Sequence, residues 1–90
     1  MSIDPEAKED LIRRLKKVEG QVKGIQRMVE NDKYCMDVLV QITAARAALT
    51  KVGTLMLEQH TRGCVRNAIE NDKGDEMIQE LVLIIEKFMR

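Results

Sequence analysis

Apolar residues in the first third of the chain recur at Leu11, Leu15, Val18, Val22, Ile25 and Val29, in steps of four, three, four, three and four. A repeat averaging about 3.5 residues is a helical seam of the kind that packs in an antiparallel bundle. Asp4-Pro5-Glu6 predicts its start, with Asp as N-cap, Pro at the first helical position and Glu near the positive end of the helix dipole. The turn-forming run Glu30-Asn31-Asp32-Lys33 predicts its end. The seam resumes at Val38, Ile42, Ala45, Leu49, Val52 and Met56 and predicts a second helix from about Lys33 to Ala68. Glu70-Asn71-Asp72-Lys73 repeats the first helix stop 40 positions on. The flanking sequences differ, so this is one stop chemistry used twice and not a duplicated domain. Gly74 then suits a C′ position and Asp75 an N-cap, opening a short third helix with Ile78, Leu81, Ile85 and Phe88 as its seam.

Small residues refine the picture. Gly20 and Gly24 each cost roughly 1 kcal/mol of helix propensity relative to Ala. Their shared side of the first helix implies close approach by another helix. Ala44, Ala45, Ala47 and Ala48 permit tight packing of the second. No linker or low-complexity stretch divides residues 1–90, which read as a single all-α domain of three helices. So long a second helix in a chain of 90 residues implies support from a partner subunit.

Composition agrees. One Phe, one Tyr, no Trp and one Pro beside many Leu, Ile, Val, Ala, Glu and Lys favour aliphatic helix packing over any sheet. The polar, acidic-leaning start Met1-Ser2-Ile3-Asp4-Pro5-Glu6 does not read as a signal peptide. The longest apolar run, Leu81 to Ile85, is five residues, too short to cross a bilayer. The expectation is a cytoplasmic protein with no membrane partner, whose two cysteines are reduced thiols.

Net charge is zero, but its distribution is uneven. Between Leu11 and Val29 stand Arg13, Arg14, Lys16, Lys17, Lys23 and Arg27 against Glu19 alone, a balance of +5, whereas residues 53–90 balance to −2. Taken alone, a basic strip of this kind reads first as a solvated helix face.

The candidate chemistry centres on His60, the only histidine, four residues before Cys64, one of two cysteines. On a helix that spacing puts imidazole and thiol on one face, a two-donor clasp for a soft metal. Cys35 is the other strong soft donor, but 25 residues of straight helix span about 38 Å, so it could not reach His60 along its own helix. It could reach the clasp of a second copy running antiparallel, giving two equivalent sites per two-fold dimer. A turn at Gly53 would instead fold the segment back on itself. Two sulfurs and one nitrogen suit Cu(I), whereas structural zinc prefers four ligands, for which Glu58 or Glu80 could be recruited. All three donors also fit a bland reading, as small core cysteines and a surface histidine. No phosphate loop, nucleophile elbow or paired-carboxylate motif is present, and a Cys64/His60 nucleophilic pair lacks an evident oxyanion hole. The chain does not read as an enzyme with a small-molecule substrate.

Arg14-Leu15, Glu19-Gly20-Gln21-Val22-Lys23-Gly24-Ile25, Tyr34-Cys35, Gln41-Ile42 and His60-x-x-x-Cys64 together resemble the copper-sensitive operon repressor family of bacterial metalloregulators, over Leu11 to Phe88. The set Cys35, His60, Cys64 resembles its copper pattern and differs from the donor sets of nickel/cobalt-, persulfide- and formaldehyde-responsive members. The resemblance implies an antiparallel dimer of three-helix protomers, paired into a homotetramer, that binds double-stranded operator DNA without a helix-turn-helix. It implies repression by the apo form and weaker DNA affinity with Cu(I) bound at Cys35, His60 and Cys64. It assigns Tyr34 and Glu80 to hydrogen bonding around His60, and Arg14 and Lys51 to DNA. Lys51 replaces an arginine found in some members and cannot make a bidentate fork to phosphate. Arg13, Lys16, Lys17 and Lys23 then become phosphate contacts as well. Two alternatives remain on the same residues: a thiol-redox or persulfide sensor, and a copper or zinc buffering protein without a DNA role.

Overall fold

Asp4 is extended (φ −53°, ψ 133°), and Pro5 begins α1, Pro5–Glu30. The structure is a computed structural model that describes residues 4–89, apart from the side chain of Cys64. Asp4 holds the expected N-cap position without a side-chain cap bond; its carbonyl accepts from Lys8 N–H at 2.9 Å. After α1 come α2, Cys35–Glu70, and α3, Gly74–Phe88, with no strand among the described residues.

Both helix stops are Schellman motifs built on aspartate. Asp32 takes the left-handed region at φ 53° and Asp72 at φ 57°. Lys33 N–H reaches back to Met28 O and Asp32 N–H to Val29 O; Lys73 bonds Ala68 O and Asp72 bonds Ile69 O. The caps Asn31 and Asn71 add side-chain bonds to Arg27 O and Asn67 O, each 2.8 Å. This chemistry moves two boundaries from their expected places. Lys33 closes α1, so α2 begins two residues later, with Tyr34 as N-cap (φ −53°, ψ 129°). Gly74 is not the C′ residue, because Asp72 already fills that role; it is the first residue of α3, with Lys73 as N-cap and Asp75 inside the first turn.

α2 passes through Gly53 without a break. A Cβ there would lie 2.8 Å from Phe88 Cζ and nearer still to Cε2. The glycine marks close packing of α3 on α2, not a turn. The expectation for Gly20 and Gly24 does not hold within the protomer, since nothing lies within 4 Å of a Cβ built at either.

α1 packs along α2, and α3 packs along the C-terminal half of α2, but α1 and α3 do not meet among the described residues. The result measures 56 × 28 × 14 Å. Its thickness is little more than the 10–12 Å diameter of one helix with side chains. An arrangement one helix thick cannot enclose much core. Leu11, Val18, Ala45, Val52 and Ala68 are the buried apolar residues among those described. Seam residues Leu15, Val22, Ile42, Leu49 and Ile85 are 41–51 % exposed, and Val29 60 %. The seams exist, but a single neighbouring helix covers only part of each.

Candidate metal centre and basic face

Cys35 is the first residue of α2 and an exposed free thiol. His60 lies 25 positions further along the same unbroken helix, about 38 Å away at 1.5 Å per residue. One protomer therefore cannot bring Cys35 to His60. The backbone of Cys64 continues the helix one turn beyond His60, which puts both on one face; the Cys64 side chain lies outside the described residues. No cluster of three His, Cys, Asp or Glu able to hold a metal occurs among the described residues of one protomer.

His60 sits where α3 crosses α2. With Gly53, Met56, Leu57, Ile84 and Phe88 it lines an apolar groove of about 230 Å³, and its Nε2 is shut off from solvent. Apolar walls around an imidazole fit a soft, low-charge ion such as Cu(I). They fit a water-bearing catalytic zinc poorly. Of the two carboxylates considered as extra ligands, Glu58 is bonded to Arg62 Nη2 at 2.9 Å. Glu80 is exposed and lines a separate groove with Asn67, Asn71, Lys73 and Glu76, one helical turn before Ile84. Tyr34 is 68 % exposed beside Cys35.

The basic residues of α1 form two groups. At about 100° per residue, Arg14 lies roughly 50° from the middle of the Leu11–Val18 core face and flanks it. Arg13, Lys16, Lys17 and Lys23 all lie more than about 100° round from that face, on the side away from α2. Lys51 is exposed on α2. Lys23 pairs with Glu19 at 3.4 Å, while Lys16, Lys17 and Lys51 make no ion pair among the described residues. Sequence reasoning missed Asp10. Its Oδ2 accepts from Arg14 Nε at 2.9 Å and its Oδ1 from Arg13 Nη2. The Arg14 hydrogen bond, helped by the charges of both arginines and opposed by partial burial, holds the Asp10 carboxyl below the usual carboxylate range. The signal was present in the spacing, because Asp10 precedes Arg13 by three and Arg14 by four.

Comparison with known proteins identifies the family. The copper-sensing transcriptional repressor CsoR of Bacillus subtilis is 48 % identical over 83 residues, covering 92 % of this chain and 82 % of that protein. The copper-sensing repressor RicR of Mycobacterium tuberculosis is 50 % identical over 62 residues, covering 69 % and 65 %. The crystal structure of the copper-sensing repressor CsoR with Cu(I) from Geobacillus thermodenitrificans superimposes with a TM-score of 0.90 at 43 % identity, covering all of this chain and 94 % of that one. The nickel-responsive regulator InrS matches at TM-score 0.78 and 31 % identity over 89 % and 90 %. The family described as metal-sensitive transcriptional repressor matches residues 7–87, and with these relatives it shows that the chain belongs to that family, the CsoR repressors.

Proposed function

We propose that the protein is a cytoplasmic, Cu(I)-responsive transcriptional repressor. Its metal-free form holds operator DNA, and its Cu(I) form lets go, releasing genes for copper export or detoxification. The observation that carries this reading is the unbroken α2, with His60 and Cys64 one turn apart and Cys35 about 38 Å away. Three soft donors so placed belong to one site only between antiparallel copies, which makes the sensing unit a dimer. Aligning Cys35 of one copy with His60 and Cys64 of the other places the two-fold axis near Ala48 and Leu49. The small residues Ala44, Ala45, Ala47 and Ala48 stand at that crossing.

The half-exposed seams support the same assembly, since a second copy laid on the open face covers them. Cu(I), when bound, supplies a soft link between two chains. The remaining work belongs to the chain. Tyr34 travels with Cys35, so the copy that lends the thiol also brings the phenol to His60. His60 shares its groove with Ile84 and Phe88, so a shift of the imidazole is felt by α3; Glu80 lies one turn away on that helix. Copper occupancy thereby favours one arrangement of the bundle over another. Pairing of dimers into a tetramer repeats the basic face of α1 and Lys51 along a duplex, where Arg13, Arg14, Lys16, Lys17, Lys23 and Lys51 meet phosphates.

The test is fluorescence anisotropy, under nitrogen, with a duplex that the protein selects from a random pool. We expect release at one Cu(I) per protomer, none with Zn(II), and a His60→Ala variant that still takes Cu(I) through its thiols but keeps the duplex. Indifference to Cu(I) with release on thiol oxidation would favour a redox or persulfide sensor. Failure to select or hold any duplex would leave a buffering protein.

A further inference from the structure

We infer that Asp10 is a positioning residue of the DNA-binding face, one that weakens binding to arbitrary duplex and so widens the margin between operator and other DNA. The inference rests on the reading of α1 as that face.

The Asp10 carboxylate straddles two arginines, one per oxygen, from a position one turn before Arg14. The Asp10 and Arg14 side chains are 32 % and 40 % exposed, so the group lies at the edge of the core and not at the end of a freely moving arm. Two effects follow, and they act differently on different DNA. The first is charge. The local sum over Asp10, Arg13 and Arg14 is +1 where two unopposed arginines would give +2. Binding to arbitrary duplex is governed by the cations available to displace counterions, so it takes the full loss.

The second effect is orientation. Arg14 is held through Nε, which leaves its two Nη groups as a fork of fixed direction. Phosphates that meet the fork at that angle gain from its being held in advance; others do not. Operator DNA, with its own groove width and bend, recovers part of what charge takes away. Lys16, Lys17 and Lys51 lack such a fork and have no carboxylate partner among the described residues. Asp10 thus orients Arg14, the side chain that a fixed direction can improve, and offsets the charge of Arg13 beside it.

The experiment compares the full-length wild type with Asp10→Asn, Asp10→Glu and Arg14→Ala. Each is titrated with the self-selected duplex and with a scrambled duplex of the same length, across a range of salt. For Asp10→Asn we expect scrambled-duplex affinity to rise roughly threefold to tenfold, with a salt slope steeper by about 0.9 per protomer engaged. Affinity for the selected duplex should change by less than about twofold, narrowing the ratio between the two. Asp10→Glu keeps the charge and should restore the shallow slope. A structural role alone would move both duplexes together and leave slope and ratio unchanged. That result, with Arg14→Ala still losing the selected duplex, would overturn the inference and spare the DNA-face reading. Full binding by Arg14→Ala would overturn both.

Discussion

Asp32 and Asp72 do at two helix ends what glycine does at most: each turns the chain through the left-handed region so that the next amide can close a Schellman motif. Aspartate tolerates that region better than most L-residues, but not without cost. Asp32→Gly should therefore stabilise the folded protein by roughly 0.5–1 kcal/mol, measured as a higher denaturant midpoint with unchanged slope. Glutamate or alanine there should have the opposite sign. The repeated Glu-Asn-Asp-Lys run made both stops legible from sequence. Their register was not legible, because the expectation gave the left-handed position to Gly74 when Asp72 already held it. The same competition displaced the start of α2: Lys33 has ordinary helix propensity, but its amide is committed to Met28 O.

At the scale of elements, Gly53 is the instructive position. A glycine in mid-helix reads equally as a break or as a point of contact, and only the arrival of Phe88 from α3 decides it. Gly53→Ala should gain about 1 kcal/mol of helix propensity and lose more by pushing the Phe88 ring out of its groove, for a net loss of about 1 kcal/mol. In a Phe88→Ala background the same change should turn stabilising, and a double-mutant cycle in denaturant measures the switch. His60 lines that groove too, so the proposed metal donor and the α2–α3 contact occupy one place. The helix seams and the His60–Cys64 spacing were readable, since each depends only on residues three or four apart. The groove was not, because Ile84 and Phe88 reach it across more than 20 residues of intervening chain.

The whole protomer is a layer 14 Å thick, with apolar side chains such as Ile42, Leu49, Ile78 and Leu83 left 43–61 % exposed. Such a layer gains most of its stability by stacking on another, so folding and assembly should share one concentration-dependent transition. The proposed sharing of one metal site between two copies has a sharper consequence. Cys35→Ala and Cys64→Ala, each alone, remove one donor from every site. Unfolded together and refolded, they form mixed dimers in which one of two sites regains all three donors. Random pairing gives about a quarter of the wild-type number of complete sites. Cu(I) titration against a competing chelator counts them, and no recovery on mixing would rule out donors from two chains.

The unbroken run from Cys35 to His60 behaves as a gauge block, a part whose working dimension is its length. Substitutions along it alter faces and leave the dimension alone. Losing one residue draws the thiol about 1.5 Å along the axis and swings it about 100° around it, away from any partner. Losing seven shortens the run by about two turns and nearly restores the facing, yet leaves the thiol short by about 10 Å. Variation among functional copper-responsive forms of this chain should therefore take the form of exchanged letters between those two residues, never of added or missing ones.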